Sequence, residues 1–186
     1  MRTITVALGE KTYNIEIAAG LLDQIGAKAR VLSQAVKAAI ISDSNVDPLY
    51  GERLERSLAA SGFEVTRIVF AAGEQSKNLT VLGQVYDELA RAGLTRSDLI
   101  LTLGGGVPGD LGGFAAATFL RGIDFIQVPT SLLAQIDSSV GGKVAIDLPS
   151  GKNLAGSFYQ PKAVFIDPDL LKTLPLRFLH CLLYTS

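Results

Sequence analysis

Apolar and polar residues alternate at the start of the chain. Ile4, Val6 and Leu8 are separated by polar or small residues, as are Tyr13, Ile15 and Ile17, and Gly9-Glu10-Lys11 lies between the two runs. Period-two alternation on either side of a turn predicts a β-hairpin. The period then lengthens: Leu21, Leu22, Ile25, Ala29 and Leu32 recur at helical spacing and predict a helix over 20–32. A short apolar run over 37–42 predicts a strand that ends on Asp43-Ser44-Asn45. Residues 48–61 predict a helix with Leu49, Leu54 and Leu58 inward and Glu52, Arg53, Glu55 and Arg56 on a solvated face, stopped by Gly62. A strand over 63–70 and a helix from about 78 to 92 follow. Leu99 to Leu103 reads as a strand buried on both faces. It runs into three glycines and a segment of small, helix-forming residues, and Phe125 to Val128 is a further strand ending in Pro129-Thr130-Ser131. Strand and helix thus alternate from 37 to 128, which implies an α/β protein with right-handed crossovers and a parallel sheet. No linker, charge block or repeat divides these residues.

The chain has 186 residues, 48% of them hydrophobic and 19% charged, enough for one sizeable core. Seventeen basic residues against eighteen acidic ones leave a net charge of −1, so no nucleic-acid or anionic-membrane partner is expected. A single cysteine, Cys181, excludes an internal disulfide framework and suits a reducing compartment. With no signal-peptide pattern at Met1-Arg2-Thr3-Ile4 and no apolar run of membrane-spanning length, the expected location is the cytoplasm.

The chemistry begins at the glycines. Gly104, Gly106 and Gly109 satisfy G-x-G-x-x-G between a strand and a helix, the context the motif requires. Glycines let the turn take positive φ and let a phosphate approach the N–H groups that a helix start leaves unpaired. Pro108 suits a first helical position and Asp110 the first turn. A plain packing turn is the other reading of this stretch. Asp43 stands where open α/β sheets place ligands, or serves as an Asx turn or N-cap. Glu74 and Lys77, in the loop Ala71 to Lys77, are a hydrogen-bonding acid and a phosphate-facing lysine, or solvated loop charges.

A second polar stretch spans Leu132 to Ser157. Gly142-Lys143 and Gly151-Lys152 set ammonium groups beside flexible backbone, and neither is a Walker motif. Taken singly each is a surface hairpin turn. Together with Asp137 and Asn153, downstream of a nucleotide-type turn, they point to a joint phosphate and polyol site.

Gly73-Glu-Gln-Ser-Lys77, Gly104-Gly-Gly-Val-Pro-Gly-Asp110, Phe119-Leu-Arg-Gly122, the run Gln127 to Lys143, Gly151-Lys-Asn153 and Phe158-Tyr-Gln-Pro161 together resemble the 3-dehydroquinate synthase family, over residues 1–177. The resemblance implies a Rossmann-like parallel sheet with helices on both faces behind the N-terminal hairpin, a tightly held NAD, a divalent metal (zinc or cobalt) and a homodimer. The implied reaction turns 3-deoxy-D-arabino-heptulosonate 7-phosphate, a phosphorylated sugar acid, into 3-dehydroquinate and phosphate in the shikimate pathway of aromatic amino acid biosynthesis. It also implies NAD contacts at Asp43, Asn45, Glu74, Lys77, Gly105, Gly106, Asp110, Thr130, Ser131 and Lys152, and at Leu170, Leu171, Lys172 and Thr173. Substrate contacts are implied at Arg121, Asp137, Lys143 and Asn153, with Asp137 and Lys143 as the catalytic pair.

Pro108, Val144 and Asp147 depart from the expected aliphatic residue, threonine and asparagine. Those departures admit a related sugar-phosphate cyclase of the 2-deoxy-scyllo-inosose type. An NAD-dependent polyol dehydrogenase and a non-catalytic NAD-binding module are also compatible with a glycine-rich turn of this kind. After Arg177 the resemblance stops, so 178–186 reads as a tail foreign to the family, with its C-terminal helical domain missing. Thr185 stands where a metal-ligating glutamate is expected. His180-Cys181 cannot complete a tetrahedral shell, so no metal ligand is assigned, and the chain alone is expected to be inactive.

Overall fold

The computed structural model describes residues 1–175; the expectations for 178–186, Thr185 and His180-Cys181 lie outside the described residues. Nine strands and four α-helices are present among them: β1 (Arg2–Val6), β2 (Tyr13–Ile17), α1 (Ile25–Leu32), β3 (Lys37–Asp43), α2 (Glu52–Ala60), β4 (Glu64–Phe70), α3 (Leu79–Arg91), β5 (Leu99–Gly104), α4 (Gly106–Thr118), β6 (Asp124–Pro129), β7 (Lys143–Leu148), β8 (Gly151–Phe158) and β9 (Ala163–Ile166). Seven strands form one sheet in the order β1-β2-β9-β6-β5-β3-β4, and β7 and β8 form a separate hairpin. Among the described strands of the large sheet only the β1–β2 pair is antiparallel; every other pairing there is parallel.

Each face of the sheet has its own core. Ile40, Leu101, Leu103, Ile126 and Phe165 pack under α1 and α2, while Ala39, Ile41, Ile100 and Phe125 pack under α3, α4 and β7. That double cover is why β5 is buried at every position and reads as an unbroken apolar run. The chain leaves β3 toward β4, crosses back to β5 and then proceeds to β6 and β9. The winding direction therefore reverses between β3 and β5, and their C-terminal ends flank a topological switch point.

Glycine sets the distance of α4 from the sheet. A Cβ on Gly112 would fall 2.7 Å from Thr102 Cγ2, and one on Gly109 would fall 3.0 Å from Gln127 Oε1. Thr102 and Gln127 are paired neighbours in the sheet, so the glycines lie over one transverse row of it.

Several local expectations are corrected. The predicted helix over 48–61 begins as a wide turn at Asp47–Gly51 and becomes α-helical only from Glu52, which leaves Leu49 half exposed instead of inward. The first predicted helix opens as a tight 3-10 turn at Leu21–Gln24. Because α4 starts at Gly106 with Gly105 as its N-cap, Pro108 is its third residue, and Asp110 lies beyond the first turn. Pro108 still sits among positions that need no N–H partner. Strands β7, β8 and β9 have no counterpart among the predicted elements.

Candidate functional site

The C-terminal ends of β3, β5 and β6 carry three short loops to one edge of the sheet. Thr130 N–H donates to Gly104 O at 2.8 Å, which ties the loop after β6 to the glycine turn. Gly104 has φ 156° and Pro108 packs where its Cβ would be, so the turn depends on glycine there. A Cβ on Gly105 would meet Ser131 Oγ at 3.3 Å, and one on Gly106 would meet Ser138 Oγ at 3.6 Å. Bare backbone thus lines a cradle with hydroxyls on its wall. Among the described residues no side chain caps α4, and the N–H groups of Gly106 and Val107 have no intrahelical partner. An uncapped start on a helix of 13 residues, facing a glycine cradle, fits the pyrophosphate of a dinucleotide.

Asp43 is buried at the end of β3, and its Oδ1 accepts from Asn45 N–H at 2.9 Å and Val46 N–H at 3.0 Å. The Asx-turn reading of Asp43 therefore holds in the structure, and exposed Asn45 is presented by that turn at the switch point. The stretch Leu170 to Thr173 follows β9 in a 3-10 turn over Pro168–Thr173. Tyr50 Oη donates to Leu170 O at 3.0 Å and lies 2.5 Å from Thr173 Oγ1, so this stretch is moored to the turn after β3. Leu171 is half-buried and Lys172 exposed, paired with Asp169 at 2.7 Å.

Beside the glycine turn lies a cleft of about 540 Å³ lined by Asp110, Asp137, Ser138, Lys143, Val144 and Asn153 among others. Asp137 and Lys143 are both exposed and reach it from the segments that flank Gly141-Gly142. That turn has φ of 90° and 65° at its two glycines. It is held by Tyr13 Oη, which accepts from Gly141 N–H at 3.3 Å, and by Tyr159 N–H donating to Gly142 O at 2.8 Å. Lys143 opens β7 and Lys152 lies in β8, so both Gly-Lys pairs belong to the hairpin. Exposed Leu154 and Phe158 form an apolar rim on the same cleft.

Lys77 is 4% exposed and is directed to protein partners. Its Nζ donates to Asp110 Oδ2 and to Asn153 Oδ1, each at 2.5 Å. Burial pushes the Asp110 carboxyl above the usual carboxylate range; the Lys77 ammonium opposes this, and Glu74 and Asp147 add to it. Glu74 and Lys152 pair at 3.4 Å on the exposed rim of a neighbouring cleft of about 530 Å³. Arg121 does not line either cleft. It lies past the far end of α4 from the glycine turn, exposed, with φ 68°.

Sequence reasoning gives no role to Ser138 and Asp147, although both lie in the polar stretch 132–157, and none to Tyr13. For Tyr13 there was no local signal, since its partner is 128 positions away. Among the described residues no group of three His, Cys, Asp or Glu side chains could hold a metal ion, so the donor set a divalent metal needs is not offered by them and no chemical step is assigned to a metal. No described helix is long and apolar enough to cross a membrane.

Residues 67–181 match the family model described as 3-dehydroquinate synthase N-terminal. The chain is 58% identical over 180 residues to a 3-dehydroquinate synthase of Clostridium acetobutylicum, covering 97% of this chain and 51% of that protein. A 2-deoxy-scyllo-inosose synthase, solved with carbaglucose-6-phosphate, NAD+ and Co2+, superposes with a TM-score of 0.88 at 30% identity, covering 96% of this chain and 49% of that one. A 2-epi-5-epi-valiolone synthase from Streptomyces hygroscopicus, solved with NAD+ and Zn2+, superposes with a TM-score of 0.81 at 31% identity, covering 94% and 48%. The chain spans about half the length of the curated relatives it matches.

Proposed function

Because this chain belongs to the 3-dehydroquinate synthase family, we propose that residues 1–177 form the NAD-binding half of a 3-dehydroquinate synthase. In this reading NAD lies across the switch point, its pyrophosphate on the uncapped start of α4. The observation that carries the reading is the meeting of that helix start with a cleft bearing Asp137, Lys143 and Asn153, a dinucleotide cradle opening onto a phosphate and polyol pocket. NAD supplies, when bound, a hydride acceptor that acidifies a substrate C–H by oxidising the neighbouring hydroxyl. The chain's own groups do the rest. Asn45 and the loop 130–131 border the cofactor, and Ser131 Oγ and Ser138 Oγ shape the cradle. The Lys143 ammonium binds anionic or hydroxyl oxygens of the substrate, and Asp137, across the cleft, accepts hydrogen bonds from its hydroxyls. Arg121 is exposed past the far end of α4 and lines neither cleft, so this geometry does not carry its substrate contact. A divalent metal, whose ligands the described residues do not supply, and a homodimer complete the reading.

The related inosose cyclase is the second candidate for substrate. Identity of 58% to a 3-dehydroquinate synthase against 30% to the inosose synthase favours the heptulosonate. A chimaera in which residues 1–175 replace the matching half of the Clostridium acetobutylicum protein separates the two. The expected result is NAD-dependent release of phosphate from 3-deoxy-D-arabino-heptulosonate 7-phosphate. Turnover of glucose 6-phosphate instead would favour the inosose reaction, and net NADH from glycerol would favour the dehydrogenase.

A further inference from the structure

The β7–β8 ladder is broken at its tip. Between the pairs Ile146–Ala155 and Leu148–Gly151, β7 contributes one residue, Asp147, and β8 contributes Lys152, Asn153 and Leu154. A bulge of this kind throws residues out of the ladder and re-aims their side chains. Here it re-aims two residues of the candidate site. Asn153, in left-handed backbone at φ 55°, has no ladder partner for its N–H, and Asp147 Oδ1 accepts from it at 2.7 Å. Asp147 N–H in turn donates to Lys77 O at 2.8 Å. From this arrangement Asn153 Oδ1 reaches Lys77 Nζ, and Lys152 Nζ reaches Glu74 Oε1. Both arms of the bulge end on the loop 74–77.

We propose that Asp147 is a positioning residue whose carboxylate and N–H hold the β8 bulge closed onto the 74–77 loop, and so fix where Lys152 and Asn153 stand relative to the glycine turn. The asparagine expected at this position would supply the same acceptor without charge. Aspartate adds a carboxylate to a neighbourhood that already holds Glu74 and Asp110, balanced by Lys77 and Lys152, with Asp137 and Lys143 on the cleft wall. Its charge pushes Asp110 up in the same direction as the larger effect of burial. The latch is a property of the chain itself; only its consequence for cofactor binding rests on the proposed function.

The test compares Asp147→Asn and Asp147→Ala in the whole chain, reading amide exchange at Asn153 and the carboxyl titration of Asp110 by NMR. The alanine variant is expected to exchange the Asn153 amide roughly five- to tenfold faster, the asparagine variant within about twofold of wild type. The Asp110 midpoint falls in both, because both remove the like charge. NAD affinity falls with alanine and survives with asparagine. Unchanged Asn153 exchange in the alanine variant, or an asparagine variant that exchanges as fast as the alanine one, overturns the proposal. Should the alanine variant not fold, the asparagine variant still decides: Asn153 exchange within about twofold of wild type supports the latch, and a rise of about fivefold or more overturns it. A wild-type chain that fails to bind NAD while showing the expected exchange and titration would sink the proposed function and leave the latch standing.

Discussion

Lys77 is the residue on which most of the site converges. Its ammonium is almost fully buried between Asp110 and Asn153, and its carbonyl receives the N–H of Asp147. A buried cation is tolerable only when its N–H groups are matched, and removing one member of such a pair leaves the other charge uncompensated. Lys77→Met should therefore cost about 2–4 kcal/mol, somewhat below the range for fully enclosed pairs because the Asp110 side chain is 20% exposed. The melting midpoint should drop by about 5–15 °C. The sign with pH follows from Asp110. A carboxyl whose folded-state value is raised contributes most stability below its unfolded value and loses it as pH rises through the folded midpoint. Removing Lys77 takes away the ammonium that opposes that rise, so the Asp110 midpoint climbs and the deficit of the variant narrows on acidification. A deficit that is constant or widens toward acid would contradict this view of the pair.

Among elements, α4 shows what sequence reading could and could not reach. Its start was legible, because a two-face apolar strand, three glycines and small residues are local signals. Its partners were not: Lys77 lies 33 positions from Asp110 and 76 from Asn153, separations that no periodicity encodes. The β7–β8 hairpin was missed for a related reason. Val144, Ile146 and Leu148 do alternate, but Lys143, Asp147, Lys152 and Asn153 mark a ligand-rich stretch, and the bulge destroys the alternation in β8. Strand β9 is four residues of plain apolar run, too short to distinguish from a helix segment. The helix glycines separate by environment in a way that can be measured. Gly83 in α3 has open space where a Cβ would go, so Gly83→Ala should stabilise by about 0.5–1 kcal/mol through helix propensity. Gly112→Ala gains the same propensity and loses more to overpacking against stiff Thr102, about 1–3 kcal/mol, for a net loss. Denaturant midpoints of the two variants should move in opposite directions. A Gly112→Ala midpoint that rises as well would mean that α4 is not held at the sheet by its glycines.

At the scale of the molecule, the sheet reverses its winding between β3 and β5, and that one topological fact gathers Asp43-Asn45, the glycine turn and Thr130-Ser131 on a single edge. The hairpin β7–β8, packed against α4, adds the lysines to the same region. The Rossmann-like architecture expected from the resemblance is what the strand order and the two packed faces display. The central claim is that NAD lies across this edge with its pyrophosphate on the start of α4. Titrating NAD into the protein while following backbone amide shifts by NMR tests it most directly. Saturable shifts centred on Asn45, Gly105 to Val107 and Thr130-Ser131 are expected; no saturable change, or changes confined to surfaces away from that edge, would contradict the claim.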